Sequence, residues 1–73
     1  MATLGEQIRE SEFYKNLDSF NAVGIAEGFV ESESDDEKQA AWQYLHDKRI
    51  AYSLQGWFGR TCQSLIEEGI IEE

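Results

Sequence analysis

SDDEKQAAWQYLHDKR, residues 34–49, is the stretch on which the fold turns. Ser34 and Glu37 stand at capping-box spacing, so the serine oxygen can accept from a backbone N–H in the first turn. Asp35, Asp36 and Glu37 fall in that turn, where carboxylates complement the positive end of the helix dipole. Lys48 and Arg49 follow at the other end with the matching sign. Ala41, Trp42, Tyr44 and Leu45 lie on or near one side. The pattern predicts a helix over residues 35–47, the clearest in the chain.

Toward the carboxyl end, residues 50–55 bridge to a second periodic run. Leu54, Phe58, Cys62 and Leu65 recur at helical spacing, with Ser53 as the expected N-cap and Glu68 as the expected end. Gly69 followed by Ile70 and Ile71 has the form of a glycine stop with an apolar follow-on. Gly56, Gly59 and Cys62, three apart, form a stripe of small residues on one side of this helix. The expectation is close packing there, with Trp42, Tyr44 and Phe58 available to fill the space. Alternatively, Gly56 lies in a bend and Trp57 opens the helix. The GxxG spacing lacks the longer phosphate-cradling pattern and its lysine.

Toward the amino end, residues 31–37 read as an acidic connection. Before it, Asn21 can cap a short helix through Val23, Ile25, Ala26, Phe29 and Val30, weakened by Gly24 and Gly28 at about 1 kcal/mol each. Thr3 and Glu6 repeat the capping-box spacing, and Leu4, Ile8, Phe13 and Leu17 predict a first helix over residues 4–17. The fold expected is all-α: one small domain of three to four helices over residues 1–73. Helices occupy 1–30, and a helix-turn-helix-like pair occupies 38–71.

A 73-residue chain buries only about 60% of the surface its unfolded form exposes, so its core is marginal. Nine aromatic side chains offer large buried areas in compensation. Cys62 is the sole cysteine, which rules out an internal disulfide and fits a reducing compartment. No run approaches the length of a membrane span, and no basic-then-apolar leader opens the sequence. A soluble, cytosolic chain is expected.

Fifteen acidic against six basic residues give a formal net charge of −9. That balance disfavours nucleic acid, whose phosphates need Lys and Arg. It favours basic partners. It reads first as a solvated surface, and second as nucleic-acid mimicry.

Catalytic groups are sparse. His46 and Cys62 fall on different expected helices, and a Cys–His pair needs an orienting third group and an electropositive setting. Glu31, Glu33 and Asp35 alternate like the first ligands of a calcium loop. The sixth position is Asp36 rather than glycine, however, and the twelfth is Trp42 rather than glutamate. No catalytic, metal or cofactor residues are assigned. Arg60 stands out among few basic groups, able to stack on Trp57 or Phe58, to pair with an acid, or to stay exposed. Trp and Arg are enriched at interface hot spots, and Trp57 and Arg60 lie one turn apart. A helix-turn-helix would present Arg60, Gln55 and Gln63 to DNA, but with Glu67 and Glu68 beside them.

Residues 40–71, AAWQYLHDKRIAYSLQGWFGRTCQSLIEEGII, resemble a group of small proteins of tailed bacteriophages, including phages of cyanobacteria. The shared pattern is an AWQYL helix, a short turn, a Leu-Gln-Gly segment, an aromatic-Gly-Arg and a late LIE-G. Trp42, Tyr44, Leu45, Leu54, Gln55, Gly56, Phe58, Gly59, Arg60, Leu65, Ile66 and Gly69 carry it here. The pattern has Thr-Gly where Lys48 and Arg49 stand, and tryptophan where Tyr52 stands, so a less sharp turn is expected. The resemblance implies a phage origin and carries no activity. Residues 1–30 lie outside it.

Together these readings describe a non-enzymatic accessory protein that binds and modulates or inhibits a host protein in the host cytoplasm. The partner would offer a basic surface. Trp57, Arg60, Phe13, Phe20 and Phe29 are the candidate contacts, and Gly56, Gly59 and Cys62 the close-packing positions. A twofold homodimer would also cover such apolar groups. The alternatives are an acidic nucleic-acid mimic and, behind it, a helix-turn-helix DNA-binding module.

Overall fold

Ser34 caps the helix that follows it, its Oγ accepting from the Glu37 N–H at 3.4 Å. The computed structural model describes residues 2–28 and 34–73. Within them lie five helices and no strand: α1 (Leu4–Glu10), α2 (Glu12–Lys15), α3 (Ser19–Glu27), α4 (Asp35–Asp47) and α5 (Gly56–Glu67). Helix α4 packs against each of the other four. Phe29, Val30 and residues 31–33 of the acidic connection lie outside the described residues.

The single first helix expected over 4–17 is two. Ser11 sits extended at φ −68, ψ 146 and serves both pieces. Its N–H and Oγ both donate to Ile8 O, at 3.1 and 2.7 Å, closing α1. Its Oγ also accepts from the Tyr14 N–H at 3.2 Å, opening α2. A serine that can bond its neighbours' backbone competes with helix continuation. The break lets Tyr14 reach α4, as described below.

Helix α3 begins earlier than expected. Asp18, not Asn21, is the N-cap, its carboxylate accepting from the Asn21 N–H at 2.8 Å. Gly28 ends it in the left-handed region at φ 85. Helix α5 begins later: Ser53 is in the turn, Gln55 is the N-cap without a side-chain bond, and Gly56 is the first helical residue. The connection from α4 to α5 therefore spans residues 48–55, longer than the three- to four-residue turn of a DNA-binding helix-turn-helix. At its far end α5 closes as the glycine stop predicts. Gly69 has φ 76; its N–H donates to Ile66 O at 3.1 Å, and the Ile70 N–H donates to Leu65 O at 2.9 Å. That bond pair is a Schellman motif.

The core gathers Ala22, Ile25, Ala41, Leu45, Ala51, Phe58, Cys62 and Ile71. Its many small side chains bring the backbones close, and half-buried Trp42 and Tyr44 roof it. Because α4 is surrounded, it also buries polar residues that its apolar stripe did not reveal: Gln43 and His46.

Arg49, in the connection after α4, is the one non-glycine residue with positive φ among those described, at 63°. The turn is as sharp as a glycine would make it, despite the arginine. A left-handed residue with a Cβ costs roughly 1–2 kcal/mol, set against glycine's greater unfolded-state entropy and the guanidinium's place 5.9 Å from the Tyr52 ring. Arg49→Gly is therefore expected to raise stability by about 0.5 kcal/mol, read as a higher urea midpoint at unchanged slope.

Candidate functional site

Five large apolar side chains remain well exposed among the described residues: Phe20, Tyr52, Leu54, Trp57 and Ile70. Phe20 is the extreme, at 82%. It belongs to α3, whose inner face is fixed by buried Ala22 and Ile25. One helical face away, Phe20, Val23, Gly24 and Glu27 follow the i, i+3, i+4, i+7 register and share one stripe, on which Phe20 and Glu27 are exposed while half-buried Val23 also touches the core.

The 48–55 connection supplies the opposite wall. The Ala51 N–H donates to Leu45 O at 3.2 Å and the Ser53 N–H to Ile50 O at 3.0 Å, while Ala51 itself is 1% exposed. These bonds pin the turn and leave Ile50 and Leu54 facing α3. The two walls enclose an open, apolar groove of about 460 Å³, whose polar lining among the described residues is Ser19 and Glu27. A second recess, of about 320 Å³, lies between α1–α2 and the start of α4, lined in part by Ile8, Phe13, Asp36 and Gln39.

Trp57 opens α5. Its ring stacks on Phe58 at 3.9 Å between centroids and meets Trp42 edge-on at 6.2 Å. Its indole N–H donates to Gln55 Oε1 at 3.2 Å. At 37% exposure it is half anchored and half available. Arg60 is exposed; among the described residues it has neither an ion pair nor a ring contact. Of the alternatives read from the sequence for Arg60, it takes the exposed one. Phe13 packs, half-buried, against the core, so it is placed as a core residue more than as a contact. Phe29 lies outside the described residues.

The small-residue stripe divides three ways. Cys62 is wholly buried. Gly59 is pressed by Tyr52, whose ring carbon would lie 3.3 Å from a Cβ placed there. Tyr52, not Trp42, Tyr44 or Phe58, is the ring at that glycine. Gly56 is exposed, and a Cβ there would meet only the guanidinium of Arg60, so it is not a close-packing position.

His46 and Cys62 do not form a reactive pair. Burial pushes the Cys62 thiol up to about 11, which keeps it protonated near neutral pH. His46 is buried, and its Nδ1 bonds the Tyr52 hydroxyl at 2.7 Å. Gln63 Nε2 donates to that same hydroxyl at 2.9 Å, so Tyr52 joins α4 to α5. Its phenol proton is then free to point to the imidazole.

A polar cluster that the sequence did not announce joins the ends of the chain. Asp47 accepts from Arg9 Nε and Nη2 at 2.8 Å each, from Tyr14 OH at 2.7 Å and from Gln43 Nε2 at 3.0 Å. Gln43 also holds the Glu72 backbone on both sides, donating to its O and accepting from its N–H, each at 2.7 Å. The Glu72 carboxylate in turn accepts from the Gly5 N–H at 3.0 Å. Gly5 makes room for this, since a Cβ there would lie 2.9 Å from Glu72 Cβ. Burial and the Asp47 hydrogen bond push the Tyr14 phenol well above its ordinary range, and the Asp47 hydrogen bond raises Arg9 further. Among the described residues no buried side-chain nitrogen or oxygen lacks a partner, and each side chain of the cluster bonds another part of the chain, so the cluster acts as a structural tie.

No helix of the described residues is long and apolar enough to cross a membrane. Compared with known protein families, curated proteins and solved structures, the chain gives no match.

Proposed function

We propose that the chain is a non-enzymatic phage accessory protein that binds a host protein in the host cytoplasm and modulates or inhibits it. The observation that carries this reading is Phe20, 82% exposed on a capped helix at the mouth of an apolar groove. An ordered aromatic left in water marks an interaction surface when it borders further apolar surface. Trp57 with Arg60 adds a second contact of hot-spot type. The protonated, buried Cys62 and the engaged His46 support a binding role over a reaction. The phage origin rests on the sequence pattern of residues 40–71.

The test is affinity capture from a bacterial host lysate at low and high salt, with Phe20→Ala, Trp57→Ala and Arg60→Ala beside the parent. The expected result is a partner retained by the parent and lost by Phe20→Ala and at least one of the other two, with helical circular dichroism unchanged. Equal recovery by all three variants, or no partner for the parent, overturns the reading. A second reading, nucleic-acid mimicry, is favoured by the net charge of −9. It predicts a complex that high salt dissolves and that is indifferent to Phe20.

A further inference from the structure

The groove has a shape and a charge that narrow what fits it. Its α3 wall carries Phe20, Val23, Gly24 and Glu27 on one stripe, with Ile50 and Leu54 opposite. Gly24 lies at the middle of that stripe, where it weakens α3 by about 1 kcal/mol relative to alanine. A glycine at mid-stripe lets another backbone come close, as an α-helix crossing α3 would need. Phe20 at one end stands ready to enter a partner's pocket.

Charge selects among the classes of occupant. A second copy would bring two bodies of −9 together, and an anionic lipid surface would repel the chain. Glu27 is the one charged residue among the described residues lining the groove, whereas Asp18 is engaged as the N-cap of α3. A cationic protein segment meets complementary charge there.

Resting on the protein-binding reading above, we infer that the Phe20–Leu54 groove receives an amphipathic α-helix of a basic partner protein. Its apolar side lies along the wall of Phe20 and Gly24, and its Lys or Arg residues face Glu27. This is helix-in-groove recognition, with Glu27 and the net charge of −9 setting the sign of the ligand.

The experiment measures binding of two synthetic helical peptides sharing one leucine face, one flanked by lysine and the other by glutamate. Parent, Phe20→Ala, Gly24→Leu and a surface control, Lys15→Ala, are titrated by fluorescence anisotropy. The lysine peptide is expected to bind the parent and the control alike. Phe20→Ala and Gly24→Leu should each weaken it about tenfold or more, the ordinary scale of a lost hot spot. Both positions line the groove, and unchanged circular dichroism separates lost binding from lost fold. Preference for the glutamate peptide, or lysine-peptide binding untouched by both variants, overturns the inference. So does a Phe20-dependent dimer in sedimentation, which makes a second copy the occupant, or Phe20-dependent adsorption to anionic vesicles. If the inference fails while the parent still captures a Trp57-dependent host partner, the functional reading stands without the groove. If no partner is captured at all, the functional reading fails by itself.

Discussion

A chain ending at Gly69 is expected to lose its native fold at 25 °C. Truncation removes Ile71, which is 2% exposed in the core. Loss of a buried isoleucine costs about 2–5 kcal/mol once the cavity is included. Truncation also strips Glu72 from Gln43, a fully buried amide that then lacks two of its bonds. An unsatisfied buried polar group costs about 1–3 kcal/mol more. A domain of 73 residues has a total stability of about 4–11 kcal/mol, so the combined loss reaches its scale. Fluorescence of Trp42 and Trp57 during urea titration reads the result. A cooperative transition at the parental midpoint would show that residues 70–73 add nothing. Ile71→Ala, which keeps the Glu72 bonds, should retain a folded baseline with a lower midpoint.

The second large effect belongs to Asp47. Asp47→Asn removes the charge opposite Arg9 and at least part of the four-bond arrangement, and should cost about 3 kcal/mol near neutral pH. Arg9 retains some water contact, which keeps the loss below that of a sealed ion pair. The pH dependence follows from the folded carboxyl. Burial pushes its pKa up, but hydrogen bonds from Arg9, Tyr14 and Gln43, with the charge of Arg9, outweigh burial and bring it below 3.8. A carboxyl with a lower pKa folded than unfolded contributes stability above the unfolded value, and that contribution fades as pH falls through the folded one. The stability gap between parent and Asp47→Asn should therefore be full at neutral pH and shrink below about pH 4. A gap that stays constant into that range would show that the side-chain charge is not what holds the cluster.

What the sequence made legible was local. Ser34, Asp35–Glu37 and the Gly69 stop act within one turn, and each is found where its spacing placed it. The break at Ser11 was hidden because Ile8, Phe13 and Leu17 keep a loosely helical spacing across it. The serine cap there lacks the glutamate that marks a capping box, having Tyr14 instead. The Arg9–Tyr14–Gln43–Asp47–Glu72 cluster was hidden for another reason: its partners lie 29 to 67 positions apart, except for Gln43 and Asp47. The structure supplies the reason: α4 is touched by every other described helix but buries only Ala40, Ala41 and Leu45 as fully apolar positions, so Gln43 and His46 fill the rest of its interior. For the candidate site, Phe20 was identifiable as a large apolar residue, whereas Ile50 and Leu54 became its neighbours only through the course of the 48–55 turn.

The tie between the Glu72 carboxylate and the Gly5 backbone spans nearly the whole chain. Bringing such distant segments together costs loop entropy before any contact rewards it, whereas α4 and its caps can order from near neighbours alone. The assembly order that follows has the helices condensing around α4 first and the two termini docking after the rate-limiting barrier. In that sequence of events the terminal clasp governs how long the folded molecule lasts more than how fast it forms.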